Sequence, residues 1–274
     1  MTSAGVDIKM QERNNKSVTR PFQPDQSEDF KPISVRSPVD HPILFRVRCL
    51  FDLQLATIVR FLRPALTAID GTILDVGAGE SPWRSWLNED VRYVGLDVDS
   101  SHVFGMSIRV PDVRYYSGAE MPFTNQEFDA VMCIEVLEHA VDPELLISEI
   151  SRVLRTGGTL ILTVPWSARR HHVPHDFHRF TKERLVKLFS EYNFQVVEMR
   201  ERGSDVSVIA NKILILNIRL IRIRAEWSYP LRFLLGLTII PLTLIFLLAA
   251  HISIWRNLGS KMDPLGYFVL ARRS

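Results

Sequence analysis

The sequence predicts an α/β fold: a doubly wound sheet with helices on both faces and an apolar helical insertion before the last strand. Three observations carry that expectation. Apolar runs rich in β-branched residues alternate with segments of helical period between residues 72 and 199. The first run, Thr72-Ile73-Leu74-Asp75-Val76, ends in the turn Gly77-Ala78-Gly79 and the second ends in Asp97, the layout of a β-α-β unit that opens a nucleotide-binding sheet. Residues 233–255, by contrast, contain no Asp, Glu, Lys or Arg and are dominated by Leu, Ile and Phe.

Taken in order, residues 1–40 are rich in Ser, Asn, Gln, Pro and charge, and so are expected to form a disordered tail. Residues 43–66 repeat Leu44, Val47, Leu50, Phe51, Leu55, Ile58, Val59 and Leu62 at three- and four-residue steps, which predicts one amphipathic helix. Its Arg46, Arg48 and Arg60 form either a solvated face or a face for an anionic membrane. After the glycine turn a helix-like segment leads to the strand ending at Asp97. Residues 100–111 are irregular, 113–116 read as a third strand and 128–133 as a fourth, apolar enough to be buried on both faces. Asp142-Pro143 caps a helix striped with Leu145, Leu146, Ile150, Val153 and Leu154, which Gly157-Gly158 should end. A fifth strand at 159–164, a histidine-dense loop at 166–180, a helix capped by Thr181 and a sixth strand at 194–199 follow. The expected organisation is a main domain at 41–203, an apolar insertion at 204–258 and a final strand within 259–274.

Bulk properties narrow the chemistry. A net charge of +2 gives no reason to expect nucleic acid as a partner. Cys49 and Cys133 are too few and too far apart for a metal pattern or a disulfide framework, and residues 1–16 lack an apolar signal core, so a reducing compartment is expected. Gly77 and Gly79 allow a ligand to lie against the main chain, and Asp97 can accept hydrogen bonds from ribose hydroxyls. Pro82 stands where a dinucleotide loop would want a third glycine, and Asp75 and Glu80 would repel phosphate but favour a cation. A ribose-bearing, phosphate-free, cationic ligand fits this pattern, and S-adenosylmethionine is one. Dinucleotide binding and a purely structural turn are the alternatives.

Together the motifs resemble those of class I S-adenosylmethionine-dependent methyltransferases. The resemblance rests on Leu74-Asp75-Val76-Gly77-Ala78-Gly79, Gly95-Leu96-Asp97, Ala119-Glu120-Met121-Pro122-Phe123, Phe128-Asp129-Ala130-Val131 through Leu137-Glu138-His139, and Arg152-Val153-Leu154-Arg155-Thr156-Gly157-Gly158. A narrower likeness, to bacterial cell-surface glycan methyltransferases, rests on Glu80-Ser81-Pro82-Trp83-Arg84, the loop Pro174-His175-Asp176-Phe177-His178-Arg179-Phe180-Thr181 and the ending that begins Pro264-Leu265-Gly266. The resemblance implies a Rossmann-like seven-stranded sheet whose last strand, about 267–271, is antiparallel. It implies S-adenosylmethionine as cofactor, with Asp75, Gly77 and Gly79 beside its methionine and ribose, Asp97 on the ribose, Ala119 and Glu120 by the adenine, and Cys133 to Glu135 flanking the sulfonium. Where the family often has Asp, this sequence has Gly118, so backbone groups would have to meet the adenine amine.

Methyl transfer is an in-line displacement in which positioning does most of the work. For a hydroxyl acceptor a general base adds to it, and His175 or His178, with Asp176 to orient a ring, are the candidates. Capping or packing roles for these histidines are the alternative. Arg169, Arg170 and Arg179 are candidates to grip an anionic acceptor. Glu135, Glu138 and His139 share a spacing that would put them on one helical face and could ligate a divalent ion with a loop histidine; the alternative, on which no metal is expected, is that the carboxylates favour a helix N-terminus.

As a helix, residues 233–255 would be long enough to cross a bilayer's hydrocarbon core. The preceding 206–223 carries Lys212, Arg219 and Arg222, which oppose insertion. If the last strand rejoins the sheet, a single full crossing is excluded. A re-entrant or in-plane insertion bent at Pro241, or a two-helix hairpin, then follows, with Arg219, Arg222, Arg224, Arg232, Arg256, Lys261, Arg272 and Arg273 keeping both flanks at the cytoplasmic face. A buried homodimer interface is the soluble alternative. The resulting expectation is O-methylation of a sugar or lipid-linked glycan at the membrane, with a lipid or quinone acceptor as the second choice. From a different class, a non-catalytic membrane scaffold retaining the fold would bind neither cofactor nor product.

Overall fold

A computed structural model describes residues 28, 31–104, 110–222 and 228–274. The expected tail at 1–27 and 29–30, part of the irregular segment at 105–109, and Arg224 lie outside the described residues. Of the remainder of that tail, Glu28 accepts a hydrogen bond from the Val173 amide (2.6 Å), and Arg48 donates to the carbonyls of Ile33 (2.8 Å) and Ser34 (2.6 Å).

The single helix expected over 43–66 is two, α1 (Pro42–Phe51) and α2 (Leu53–Thr67). The break falls at Asp52, whose carboxylate accepts from the Leu55 amide (3.0 Å) and so starts a second helix instead of continuing the first. Strands β1 (Thr72–Val76), β2 (Arg92–Val98), β3 (Val113–Tyr116), β4 (Phe128–Ile134), β5 (Leu154–Pro165), β6 (Phe194–Arg202) and β7 (Gly266–Arg273) form one sheet in the order β3-β2-β1-β4-β5-β7-β6. The strands run parallel except β7, which is antiparallel to β5 and β6. The expected fold class and the antiparallel last strand are both present.

Helices α3 (Pro143–Val153) and α4 (Lys182–Glu191) cover one face of the sheet over Leu74, Val131, Leu160 and Leu162, while α1 and α2 cover the other over Ile73, Met132 and Ile161. Two local expectations fail. The segment after the glycine turn contains only a 3-10 turn, Arg84–Trp86, because Trp83 and Trp86 pack together (5.2 Å) and Trp86 meets Phe45 edge-on (6.0 Å), which uses that short connection as a plug against α1. Gly157-Gly158 does not end α3 but lies within β5, where the β4–β5 register shifts; a β-carbon on Gly158 would stand 2.3 Å from Leu154 Cδ2.

Between β6 and β7 the chain forms α5 (Asp205–Ile221) and α6 (Tyr229–Arg256), which pack against each other. The most apolar 18-residue stretch of α6 has a mean hydropathy of 2.5, and the helix is long and apolar enough to span a bilayer, at about 42 Å by the helical rise. Pro241 sits inside it without ending it. The side turned to α5 is set with small or polar residues. Gly236 lies under Leu220 and Ile221, Thr243 Oγ1 accepts from Asn217 Nδ2 (2.9 Å), and Ser253 Oγ meets Ser204 Oγ (2.8 Å). The opposite side exposes Leu231, Leu234, Leu235, Leu242, Ile245, Leu248 and Trp255.

Candidate active site

The carboxyl ends of β1, β2 and β4 converge, and this is where an open α/β sheet binds its ligand. Val76 gives way to Gly77 (φ 72°) and Gly79 (φ 53°), left-handed conformations that suit glycine. A β-carbon on Gly77 would lie 2.3 Å from Val136 Cγ2, so Gly77→Val is expected to lower the melting temperature as well as cofactor affinity, with roughly 1–3 kcal/mol from backbone strain alone. Thermal unfolding and calorimetry read the two effects.

Asp97 sits at the end of β2 with Oδ2 accepting from the Gly79 amide (2.8 Å) and Oδ1 from the Val98 amide (2.7 Å). One carboxylate thus shapes the turn and faces the site. Burial raises its pKa against those two hydrogen bonds. Asp75 is buried, and its Oδ2 accepts from the Tyr93 hydroxyl (2.7 Å), which also meets Ser81 Oγ (2.8 Å). Desolvation outweighs the Tyr93 bond and pushes the Asp75 carboxyl up to about 7. Gly118 (φ 90°) has only Val98 Cγ1 near a β-carbon position (3.6 Å), and Ala119 and Glu120 are exposed beside it, so the edge expected to face the adenine is open. A broad depression of about 570 Å³ lined by Arg114, Glu120 to Thr124 and Glu127 adjoins it but includes neither Gly77 nor Asp97. The strand ends, not that depression, define the site.

Other expected residues are placed differently. The Cys133 side chain is fully buried in the core, which pushes its thiol pKa up, so only its backbone can border a ligand. Glu135 has φ 55°, and only a 3-10 turn, Leu137–His139, follows it; the helical face expected for Glu135, Glu138 and His139 therefore does not form. The Glu135 carboxylate instead meets Arg202 Nη2 (2.9 Å). Arg202 is fully buried and also donates to the Val164 carbonyl (3.1 Å), while a β-carbon on Gly266 would strike its guanidinium at 2.2 Å. Sequence reading missed Arg202, and Gly266 was its only local sign.

In the histidine loop, Asp176 accepts two hydrogen bonds from Arg179 (2.6 and 2.7 Å) and one from the His171 amide (3.1 Å). Burial would raise the pKa of Asp176, but Arg179 and His171 hold it well below the usual carboxylate range. Asp176 therefore orients His171, not His175 or His178. His178 Nε2 donates to the Ala140 carbonyl (3.0 Å) and its ring packs on Phe180 (5.4 Å). His175 lies half-buried beside Phe104 (5.5 Å). Arg179 is held within the loop by Asp176 and by the carbonyls of His178 and Arg169.

The sheet order, the glycine turn and the Asp97 bridge have the arrangement of the class I methyltransferase fold, with a candidate nucleoside site at the strand ends. Residues 74–162 match the family model described as a methyltransferase domain. A "Probable S-adenosylmethionine-dependent methyltransferase" of Mycolicibacterium smegmatis is 36% identical over 97 residues, 34% of this chain and 37% of that protein. The "Fatty-acid O-methyltransferase" of the same organism is 29% identical over 143 residues, 48% of this chain and 51% of that protein. The chain thus spans about half or less of the length of these curated relatives. A chain from the Haloferax volcanii complex of the Trm112 methyltransferase activator with a proposed methyltransferase aligns at a TM-score of 0.51 and 17% identity, covering 88% of this chain and 99% of that one, a likeness of fold. The family implies S-adenosylmethionine as cofactor. The main-chain cradle at Gly77 and Gly79, the site-facing Asp97 and the buried Asp75 carboxyl fit it.

Proposed function

We propose that the protein transfers a methyl group from S-adenosylmethionine to an oxygen of a lipid-borne acceptor, a sugar of a lipid-linked glycan, at the cytoplasmic face of a membrane. The observation that carries the transferase reading is the Asp97 carboxylate, held to the Gly79 amide at the carboxyl edge of the sheet. Bound S-adenosylmethionine supplies the methyl, whose carbon leaves sulfur for the acceptor oxygen as that oxygen's proton is released. Asp97 accepts from the ribose hydroxyls, and Asp75 offers negative charge near the turn. His175 remains the candidate to take the acceptor proton, because His178 and Asp176 are engaged elsewhere. His175→Ala is expected to lower kcat by about 10²–10⁴-fold if that role holds; unchanged kcat would remove it.

Asp75 gives the cofactor a pH dependence. A cation prefers the ionised carboxylate, so below about 7 binding must first displace the proton. Affinity for S-adenosylmethionine should rise on going from pH 6 to 8, by at most about tenfold per unit below the pKa, and the slope should vanish in Asp75→Asn. Calorimetry at several pH values measures it.

The membrane context is supported by the exposed apolar side of α6 and by the small and polar residues that join α6 to α5, the way helices associate in lipid. α1 extends this surface with exposed Ile43, Leu44, Val47, Leu50 and Phe51. The hairpin returns the chain to the sheet without a net crossing. In fractionated cells the protein should stay with membranes in high salt and leave with detergent; release by salt alone would exclude insertion. The fatty-acid O-methyltransferase relative favours a second reading, methylation of a lipid itself. An apolar groove of about 370 Å³ between Phe51, Leu214, Ile218, Ile240 and Leu247 suits a hydrocarbon chain in either case. Mass spectrometry of glycans and lipids from cells with and without the protein, searched for a methyl-sized mass difference, separates the acceptors.

A further inference from the structure

Glu138 is the most awkwardly placed ionisable side chain in the described fold. It is fully buried, and neither carboxyl oxygen accepts a hydrogen bond from another residue. An orphaned buried carboxylate is costly and calls for a positive partner. Two histidines face it. His139 Nε2 lies 3.6 Å and His171 Nε2 3.9 Å from Glu138 Oε1, too long for hydrogen bonds, and the three donor atoms lie within 4.8 Å of one another.

The tautomers of both rings are fixed from behind. His139 Nδ1 lies 2.6 Å from the His175 carbonyl, which can only accept, so Nδ1 carries the proton. His171 Nδ1 is likewise placed against the Arg169 carbonyl (3.1 Å) and the Asp176 carboxylate (3.3 Å). Each ring therefore turns an Nε2 lone pair toward the carboxylate. Three acceptors face one point with no proton supplied between them. Protonating Glu138 would serve one of its oxygens and leave the opposing nitrogen too far away.

We propose that Glu138, His139 and His171 bind a divalent transition-metal cation of the zinc and manganese class. Two imidazoles and one carboxylate with further positions open is a donor set such ions take, and the hydrogen bonds behind the rings are those that orient metal-binding histidines. Bonds of about 2.0–2.2 Å put neighbouring donors roughly 3–3.5 Å apart, so the two carboxylate–imidazole separations need close by less than an ångström, and the widest pair, within 4.8 Å, by up to about 1–2 Å through rotation of the two rings. The side chains of His139 and His171 keep 10% and 17% exposure, which leaves a path for the ion and an outward position. Phe104 borders that opening, with its ring 5.5 Å from His139 and 5.6 Å from His172. The turn that carries Glu138 and His139 follows β4 at the ligand-binding edge, so the open position would meet an acceptor oxygen. That role rests on the methyl-transfer reading; metal binding itself does not.

The test is titration of cobalt(II) into chelator-treated, detergent-solubilised full-length protein without S-adenosylmethionine. Visible d–d absorption rising to one equivalent and displaced by zinc is expected. His171→Ala should lose the band or weaken binding more than tenfold, and Asp176→Asn should weaken it by about 10–100-fold through the His171 ring. His41→Ala, at the start of α1, should keep it. No band in folded wild-type protein, or a band unchanged in His171→Ala, overturns the proposal. Calorimetry with S-adenosylmethionine on the same samples reports on the transferase reading separately.

Discussion

Asp97→Ala is expected to weaken S-adenosylmethionine binding by at least about a hundredfold while leaving the protein folded. Hydrogen bonds to a charged group contribute roughly 1.5–3 kcal/mol each, and each 1.4 kcal/mol is tenfold in affinity, so losing two ribose contacts reaches that level. The substitution also frees the Gly79 amide that Asp97 holds at 2.8 Å, which loosens the turn beneath the ligand. Asp97→Asn keeps an oxygen for one contact and should fall between the two. Binding isotherms of the three proteins at pH 8, where Asp75 is ionised, measure the effect without the competing proton.

Arg202→Met should cost about 3–5 kcal/mol of stability, since removing one member of a buried ion pair leaves the other uncompensated. In a chain of this size that corresponds to a fall in melting temperature of roughly 6–20 °C. Arg202 ties Glu135 after β4 to the Val164 carbonyl on β5 and lies against Gly266 on β7, so three strands lose a common anchor. Adding Glu135→Gln to Arg202→Met should recover part of the loss, because the stranded charge is then gone. Thermal unfolding of the single and double variants checks both expectations.

The strands of this fold were legible because each is a short β-branched or apolar run closed by a turn residue, as Val76 is by Gly77. The turn at the strand ends was legible for the same reason: Gly77, Gly79 and Asp97 are local signals, and the fold brings them together through the Asp97–Gly79 hydrogen bond. What failed was what depends on packing. Trp83 and Trp86 carry no periodicity against a helix, yet their packing on each other, with Trp86 edge-on to Phe45, goes with only a 3-10 turn. Glu135, Glu138 and His139 have helical spacing, but the left-handed backbone at Glu135 turns its carboxylate to Arg202 and leaves Glu138 with the histidines. In the loop, neighbours in sequence suggested Asp176 beside His175 or His178, while the fold turns it back to His171 and Arg179. A buried arginine reached across three strands has no signature in one dimension.

The most direct test is a calorimetric titration of the folded, detergent-solubilised protein with S-adenosylmethionine. One site per chain is expected, with binding of the demethylated product at the same site and competition between the two. A flat titration at millimolar ligand, with a sharp thermal unfolding transition showing the chain is intact, would contradict the cofactor assignment to the edge formed by Gly77, Gly79 and Asp97.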